Sequence, residues 1–468
     1  MDSRKYSKTT VIRNFKQIFL MLIVGLIITA CQNDDDQSSP ETSKNGFWLL
    51  EGKGYILETN DEKSVLYSVN SIGCTVADDN FDAEESFGAT LEQVGPNELI
   101  VASELSASDI EFKRLTSQNE LCLPDQIADT NDPKVNYDHF WNIFNDHYAF
   151  FETRNVDWMQ YKNLGEQINS DNFYTVLEEV ILQLKDGHVL IEDEANNINI
   201  DSGSQNLFDR LNSGLSGDFR IESFEDYNRL YGQRLETIGA KYLGGVFEFN
   251  ENQTIAWGAI DDNIGYINIF GMAGFGTGAG NELEALNTVL DNIMDDIKDA
   301  ELSKLIIDVR FNGGGFDMVA VNIASRFVDQ ERLAFSKKAK FKDGFTESTS
   351  VSISPKGDFQ FTGDIVLLTS PFTASATEVF MLCMKDLPYV TIVGDHTSGI
   401  FSDVLVHVLP NGASVGLSNE VYSDAQGQVF EAIGIGPGDE NRVPLFSNDD
   451  FIEEKDGGID KAVEILNN

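Results

Sequence analysis

The chain has 468 residues, with 33 Lys and Arg against 77 Asp and Glu, and its formal net charge is −44. This length suffices for about two to four domains with large hydrophobic cores. The acidity excludes a general nucleic-acid-binding protein, because phosphate backbones require clustered Lys and Arg. Four cysteines in the whole chain exclude a disulfide-dense scaffold.

The first 30 residues are typical of a bacterial lipoprotein signal peptide. Basic residues precede an apolar run over residues 18–28, and Ile28-Thr29-Ala30-Cys31 resembles a lipobox in which Cys31 is lipidated. We therefore expect a protein of the cell envelope that a lipid on Cys31 anchors at the outer membrane. An acidic linker over residues 31–45 would connect this anchor to the folded part of the chain. The acidic residues after Cys31 also resemble the surface-export tag of lipoproteins in the Bacteroidetes group. An ordinary signal peptide or an uncleaved anchor is the alternative.

Residues 46–125 are predicted to form a small antiparallel β domain. Apolar and polar residues alternate over residues 54–59, 64–69 and 98–102, and Asn, Asp and Gly separate these runs. Export implies an oxidising compartment, in which Cys74 and Cys122 are expected to form a disulfide. This domain shows no evident chemistry, and docking of a partner is its candidate role.

The rest of the chain is predicted to be an α/β protein. Residues 134–260 are expected to form a helical subdomain that caps the core, and residues 261–468 are expected to form the core itself. In the core, apolar strand-like runs alternate with helical patterns, which is typical of α/β folds. The predicted core strands are residues 264–270, 304–310, 364–370 and 389–394, and the predicted helices are residues 282–300, 318–327 and 378–384.

Three short segments carry residues suited to chemistry. The turn Asn312-Gly-Gly-Gly315 lies between a predicted strand and a helix, where its N–H groups could meet an anion, although a tight structural turn is the simpler interpretation. Ser375 lies among small residues at a second such turn, where it could be a nucleophile or a helix cap. His188 in Lys185-Asp-Gly-His is a candidate base, although a single His is more often structural.

Together these segments resemble the C-terminal-processing serine peptidase family, in its branch related to the tricorn core and to interphotoreceptor retinoid-binding protein. The resemblance covers about residues 134–445 and implies a crotonase/ClpP-like α/β peptidase core. It depends on the shared order of Phe140-Trp141, Tyr148-Ala-Phe-Phe, Asp157-Trp158, Leu184-Lys-Asp-Gly-His188-Val, Asp308-Val-Arg-Phe-Asn-Gly-Gly-Gly, Thr373-Ala-Ser375-Ala-Thr-Glu378, Gly394-Asp-His-Thr-Ser-Gly and Phe430-Glu431-Ala-Ile-Gly-Ile-Gly-Pro437.

The resemblance implies a catalytic triad and an oxyanion hole. Ser375 falls on the family's nucleophile, His188 on the base of the tricorn-like branch, and Glu431 on the acid that orients this base. The backbone amides of Gly314 and Ala376 would bind the oxyanion.

The sequence departs from the family pattern at three points. Processing proteases carry a lysine base where this chain has Ile400, so a Ser–Lys dyad is not expected. The tricorn pattern has a serine where this chain has Gly187, so Glu431 could reach His188 directly or through Ser402 or Ser418. No PDZ module is evident, which puts recognition of hydrophobic C-termini in doubt.

We therefore predict a membrane-anchored serine endopeptidase that forms an acyl-enzyme. Its expected partners are a peptide or protein substrate and the membrane, without nucleic acid. No cofactor and no catalytic metal are expected, because the sequence has no HExxH motif and no paired Cys/His spacing. The alternatives are a non-catalytic binding protein for apolar ligands or peptides on the same scaffold, and a structural lipoprotein that docks through residues 46–125.

Overall fold

The computed structural model describes residues 43–245 and 247–468. The predicted signal peptide, the predicted lipid acceptor Cys31 and most of the predicted linker lie outside the described residues. Among the residues that the model describes, no helix combines the length and the apolar character needed to cross a membrane.

The N-terminal part is a seven-stranded antiparallel sheet with the order β4–β3–β2–β1–β7–β6–β5. Alternation of apolar residues buries Trp48, Leu57 and Phe112 on one face, where they pack together. Cys74 of the sheet and Cys122 beyond it form the expected disulfide, with a Cα–Cα distance of 5.2 Å. The elements are β1 Gly46–Leu50, β2 Tyr55–Thr59, β3 Ser64–Asn70, β4 Gly73–Asp78, α1 Ala83–Phe87, β5 Leu91–Gly95, β6 Glu98–Val101 and β7 Ile110–Arg114.

The middle of the chain begins with an aromatic-rich helix. Asp132 caps this helix by accepting the N–H groups of Lys134 and Val135, and Pro133 occupies its first turn, where no N–H partner is needed. Its buried face places Phe140 and Phe144 against Trp158. The elements are α2 Pro133–His147, α3 Phe173–Ile181, β8 Leu190–Asp193, β9 Ile198–Asp201, α4 Ser204–Leu211 and α5 Phe224–Thr237.

The core is a six-stranded sheet with the order β10–β11–β12–β13–β17–β18. Its strands run parallel from β12 to β18. The elements are β10 Glu248–Phe249, β11 Ile255–Ala259, β12 Ile264–Ile269, α6 Glu282–Asp299, β13 Lys304–Asp308, α7 Asp317–Ala324, β14 Arg332–Phe341, β15 Gly344–Phe345, β16 Thr349–Ile353, β17 Asp364–Thr369, α8 Ala376–Met384, β18 Val390–Gly394, β19 Val404–Val408, β20 Ser414–Ser418, β21 Glu420–Asp424, α9 Asn448–Ile452 and α10 Gly457–Leu466.

Helices cover both faces of this sheet. Buried residues of α6, α7 and α8 form one apolar cluster with the sheet, and buried residues of α5 and α10 form another on the opposite face. The predicted α/β fold class is therefore confirmed. Because β13 and β17 are parallel neighbours, with Asp308 beside Leu368, the turns at their carboxyl ends emerge side by side.

Two smaller sheets surround the core. The first has the order β15–β14–β16, and in it β14 also pairs with β21. The second has the order β19–β20–β8–β9. The region predicted as a helical cap therefore supplies two strands, β8 and β9, to the second sheet. The pairing of β8 with β20 attaches the segment that follows His188 to the carboxyl-terminal half of the chain.

The N-terminal sheet packs against the edge of this second sheet. Ser68 Oγ lies 2.6 Å from His407 Nδ1, and the ring of Tyr55 stacks on the ring of His407. Thr75 Oγ1 donates to the carbonyl oxygen of Val408 at 2.7 Å. Part of the surface of the small β domain is thus buried against the rest of the protein.

Candidate active site

Ser375 lies at the junction of β17 and α8. The turn before it is fixed by two hydroxyls: Ser370 Oγ donates to the Arg310 carbonyl at 2.6 Å, and Thr373 Oγ1 donates to the Val309 carbonyl at 2.9 Å. Ser375 has φ 56° and ψ −128°, a conformation that residues other than glycine rarely adopt. A strained backbone of this kind persists only where its surroundings enforce it, and such positions cluster at functional sites.

The glycine turn after β13 packs directly on Ser375. Gly314 has φ +115°, and a Cβ atom placed there would lie 2.7 Å from the Ser375 Cβ and 3.0 Å from the Ala374 carbonyl oxygen. A glycine is therefore required by conformation and by space.

The two predicted oxyanion donors differ in their present contacts. The Gly314 N–H donates to Asn312 Oδ1 at 2.9 Å, and Thr377 Oγ1 donates to the same oxygen at 2.6 Å. The Ala376 N–H, at the first residue of α8, has no hydrogen-bond partner within the described part of the chain. The field of the helix N-terminus favours negative charge at this free N–H. To bind an oxyanion together with the Ala376 N–H, the Gly314 N–H would first have to break its hydrogen bond with Asn312.

We expect Gly314→Ala to lower kcat by roughly 10²-fold, because the new methyl group would displace the Ser375 side chain by an ångström or so. Steady-state hydrolysis of a peptide substrate measures this effect. The matched control is Gly412→Ala, since Gly412 also has positive φ, at +86°, but has no atom within 4 Å of the added Cβ. Equal kcat values for the two variants would contradict the packing argument.

His188 follows α3 and is 8% exposed. Its backbone N–H donates to Asp186 Oδ1 at 3.0 Å, and its ring Nδ1 is buried with no hydrogen-bond partner in the described structure. Burial is the largest influence and lowers the pKa of His188 below its ordinary value, although the Asp186 and Asp403 carboxylates act to raise it. The imidazole is thus held neutral at physiological pH, the form that a general base requires.

A loop over residues 397–402 lies between the segments that carry Ser375 and His188. On one side, the Ser398 N–H donates to the Thr373 carbonyl at 2.8 Å. On the other side, Ile400 contacts the segment of His188 so closely that a Cβ added to Gly187 would lie 2.9 Å from Ile400 Cδ1. The predicted nucleophile and base therefore flank one loop.

Glu378 of α8 holds this loop in place. Its carboxylate accepts the N–H groups of Gly399 and Ile400, each at 2.8 Å, and also the hydroxyl of Thr397. Burial raises the pKa of Glu378 to about 7, and these hydrogen bonds oppose the rise. The strained Ser375 turn and the loop are thus linked through a side chain of the helix that Ser375 begins.

Glu431 also contacts this loop, but its hydrogen bonds are made with groups other than the His188 imidazole. Its Oε1 accepts Arg154 Nη2 at 2.7 Å, and its Oε2 accepts the Phe401 N–H at 2.9 Å. Burial and the nearby Asp186 carboxylate raise the pKa of Glu431, and the Arg154 guanidinium opposes this. Within the described residues, no hydrogen bond joins Glu431 to His188.

Neither hydroxyl considered as a bridge connects these two residues. Ser418 Oγ donates to Asp186 Oδ1 at 3.2 Å, and Ser402 Oγ donates to the carbonyl of Asp403 at 2.9 Å. The carboxylate nearest in sequence to the imidazole is Asp186, which is fully buried and also accepts Tyr148 Oη at 2.8 Å.

Sequence reasoning missed Asp186 and Arg154 as members of this cluster. Asp186 stands in the motif that drew attention to His188, and a buried acid two residues before a candidate base was a usable signal. Arg154 follows the aromatic segment Tyr148-Ala-Phe-Phe, and no pattern in the sequence indicates that it pairs with an acid 277 residues away.

Part of the chain is similar to known peptidases. Residues 263–440 match the model of a family described as peptidase family S41. A carboxyl-terminal-processing protease from Synechocystis sp. is 24% identical over 161 residues, which is 34% of this chain and 36% of that protein. A chloroplastic C-terminal processing peptidase from Tetradesmus obliquus is 30% identical over 142 residues, which is 29% of each chain. The match thus spans about a third of the length of these curated relatives.

Solved structures share the fold over more of the chain. A putative peptidase from Parabacteroides merdae superposes with a TM-score of 0.58 and 25% identity, over 72% of this chain and 97% of that one. Mature CPAF superposes with a TM-score of 0.51 and 11% identity, over 72% of this chain and 96% of that one, which supports the fold alone. The predicted resemblance to the C-terminal-processing serine peptidase family is confirmed.

Proposed function

Since residues 263–440 match the model of peptidase family S41, we propose that the chain is a serine endopeptidase that cleaves peptide bonds through an acyl-enzyme intermediate. The observation that supports this best is the strained Ser375 at the N-terminus of α8, with the open Ala376 N–H beside it. A ligand-binding scaffold has no need of a hydroxyl held in so costly a backbone conformation.

In this proposal the Ser375 hydroxyl attacks the scissile carbonyl while neutral His188 accepts its proton. The Ala376 N–H, joined by the Gly314 N–H once released from Asn312, stabilises the negative oxygen of the tetrahedral intermediate. His188 then donates the proton to the leaving amine, and a water molecule activated by the same imidazole hydrolyses the acyl-enzyme. The carboxylates of Asp186 and Asp403 favour the charged imidazole that forms during each step.

The direct test is reaction of the purified protein with a fluorophosphonate probe, followed by mass spectrometry of the labelled peptide. Modification of Ser375, together with hydrolysis of a peptide library, would support the proposal. Absence of labelling, together with tight binding of an apolar ligand, would instead favour a non-catalytic carrier on the same scaffold.

We also propose that the protein is anchored in the cell envelope, at the outer membrane, through a lipid on Cys31. The basic and apolar segments before the cysteine support this, as does the acidic linker composition after it. Several acyl chains on one cysteine would give stable anchoring, where one chain alone gives weak binding. The small β domain over residues 46–125 would then stand next to the tether and could dock a partner.

We expect Cys31→Ser to move the protein from the detergent-rich to the aqueous phase in a detergent phase partition and to abolish incorporation of labelled fatty acid. The reason is that serine offers no thiol for the lipid. Ser375→Ala is the control, because it changes the proposed active site and leaves the lipobox intact. Retention of the label in Cys31→Ser would reject the anchor.

A further inference from the structure

Arg154 is a buried arginine whose contacts join the segment before His188, the loop over residues 397–402 and Glu431. Its side chain is 6% exposed. Nη1 donates to the carbonyl oxygen of Lys185 at 2.8 Å, and Nε lies 3.3 Å from Asp186 Oδ2. Nη2 donates to Glu431 Oε1 at 2.7 Å and to the carbonyl oxygen of Gly399 at 3.2 Å.

These partners belong to three segments that are far apart in the sequence. Lys185 and Asp186 lie three and two residues before His188, Gly399 lies in the loop over residues 397–402, and Glu431 follows β21. A guanidinium presents its donors in a rigid planar fork, so a single side chain can fix all three segments relative to one another.

We propose that Arg154 is the positioning residue of the active site, which sets His188 and the loop over residues 397–402 in register with Ser375. This inference rests on the proposed peptidase function and adds a residue that the triad does not contain. Arg154 acts through the backbone at residues 185 and 399 and through the two carboxylates.

The charges of the cluster agree with this role. Asp186 and Glu431 are both buried, and both pair with Arg154. Burial and the Asp186 carboxylate raise the pKa of Glu431, and the Arg154 guanidinium opposes this rise. Without Arg154, the pKa of Glu431 would rise further, and Glu431 would bind a proton.

The test uses Arg154→Lys in the full chain, with Arg234→Lys as the matched control. Arg234 is also buried, at 1% side-chain exposure, and also pairs with two acids, Asp450 at 3.0 Å and Asp456 at 3.1 Å. The chemical change is the same at both positions, whereas the partners of Arg234 lie outside the segments of Ser375, His188 and Glu431.

We expect Arg154→Lys to lower kcat by about 10²-fold with KM changed only a few-fold, because an ammonium cannot hold three segments at once and a misplacement of about 1 Å has this cost. The rate of fluorophosphonate modification of Ser375 should fall in parallel. Arg234→Lys should lower the melting temperature but keep kcat.

Arg154→Gln should in addition move the acid limb of kcat/KM to higher pH, since the arginine charge holds the pKa of His188 down against Asp186 and Asp403.

A folded Arg154→Lys with the kcat of the native protein would overturn the inference, and so would an equal loss of kcat in Arg234→Lys. If Arg154→Lys does not fold, Arg154→Gln/Glu431→Gln removes both partners of this ion pair and is compared with Glu431→Gln alone. Slower Ser375 modification in the double variant supports the positioning role, and an equal rate rejects it. Native protein that neither cleaves peptides nor reacts with the probe would reject the peptidase function as well, which separates the two failures.

Discussion

Replacing Ser375 with alanine is expected to lower kcat for peptide hydrolysis by roughly 10⁴- to 10⁶-fold, the range seen when a serine nucleophile is removed. The reaction begins with attack by the Ser375 hydroxyl, and no neighbouring group replaces a missing oxygen. Stability should not fall, because Ser375 Oγ makes no hydrogen bond within the described residues. Steady-state kinetics and thermal unfolding of the same preparation measure the two effects.

Ser398→Ala is the matched control for this experiment. Ser398 lies in the loop over residues 397–402, is also partly buried, and its hydroxyl is likewise without a hydrogen bond in the described structure. We expect this variant to retain kcat within a few-fold. Residual hydrolysis by Ser375→Ala at the level of Ser398→Ala would reject Ser375 as the nucleophile.

The α/β core was predictable because its signals are local. Strands β12, β13 and β17 are short apolar runs that end in turn residues, and the helices between them show the period of an amphipathic helix. Each of these elements depends mainly on its own residues, so its approximate bounds follow from the sequence.

Long-range pairing was not predictable in the same way. The segment that becomes strand β8 lies in the region predicted as a helical cap, and its partner β20 comes more than 200 residues later in the chain. Such pairing is decided by tertiary contacts that a local pattern does not contain. The region predicted as a helical cap contains the helices α2 to α5, and it also contains the strands β8 to β11.

The candidate site also combines features that local sequence signals predict with features that depend on long-range pairing. The strand-to-helix turns around Gly314 and Ser375 were found from residue type and spacing. The bond from the Gly314 N–H to Asn312 is a local contact over two residues, of the kind that asparagine commonly makes in turns, and sequence reasoning could have anticipated it. The pairing of Arg154 with Glu431 brings together two charges whose partners only the folded chain determines.

We expect His188→Gln to lower kcat by about 10⁴- to 10⁶-fold, because glutamine fills much of the space of the imidazole but cannot accept the Ser375 proton at neutral pH. The control is His139→Gln. His139 is also buried, its pKa is also lowered by burial, and its ring contacts Asn70 at 3.1 Å, which a glutamine could still reach. This control should keep the native kcat, and an equal loss in both variants would mean that any buried imidazole is needed for folding.

The pH profile provides a second test of His188 in the native protein. The base acts in its neutral form, and burial lowers the pKa of His188 below 6.5. Activity should therefore persist to lower pH than an imidazole of ordinary pKa would allow, and it should fall as the pH drops through this lowered pKa, when the imidazole becomes charged and can no longer accept the Ser375 proton. The residual activity of His188→Gln should lack this acid limb. An acid limb of kcat/KM above pH 6.5 in the native protein would assign the base to a different group.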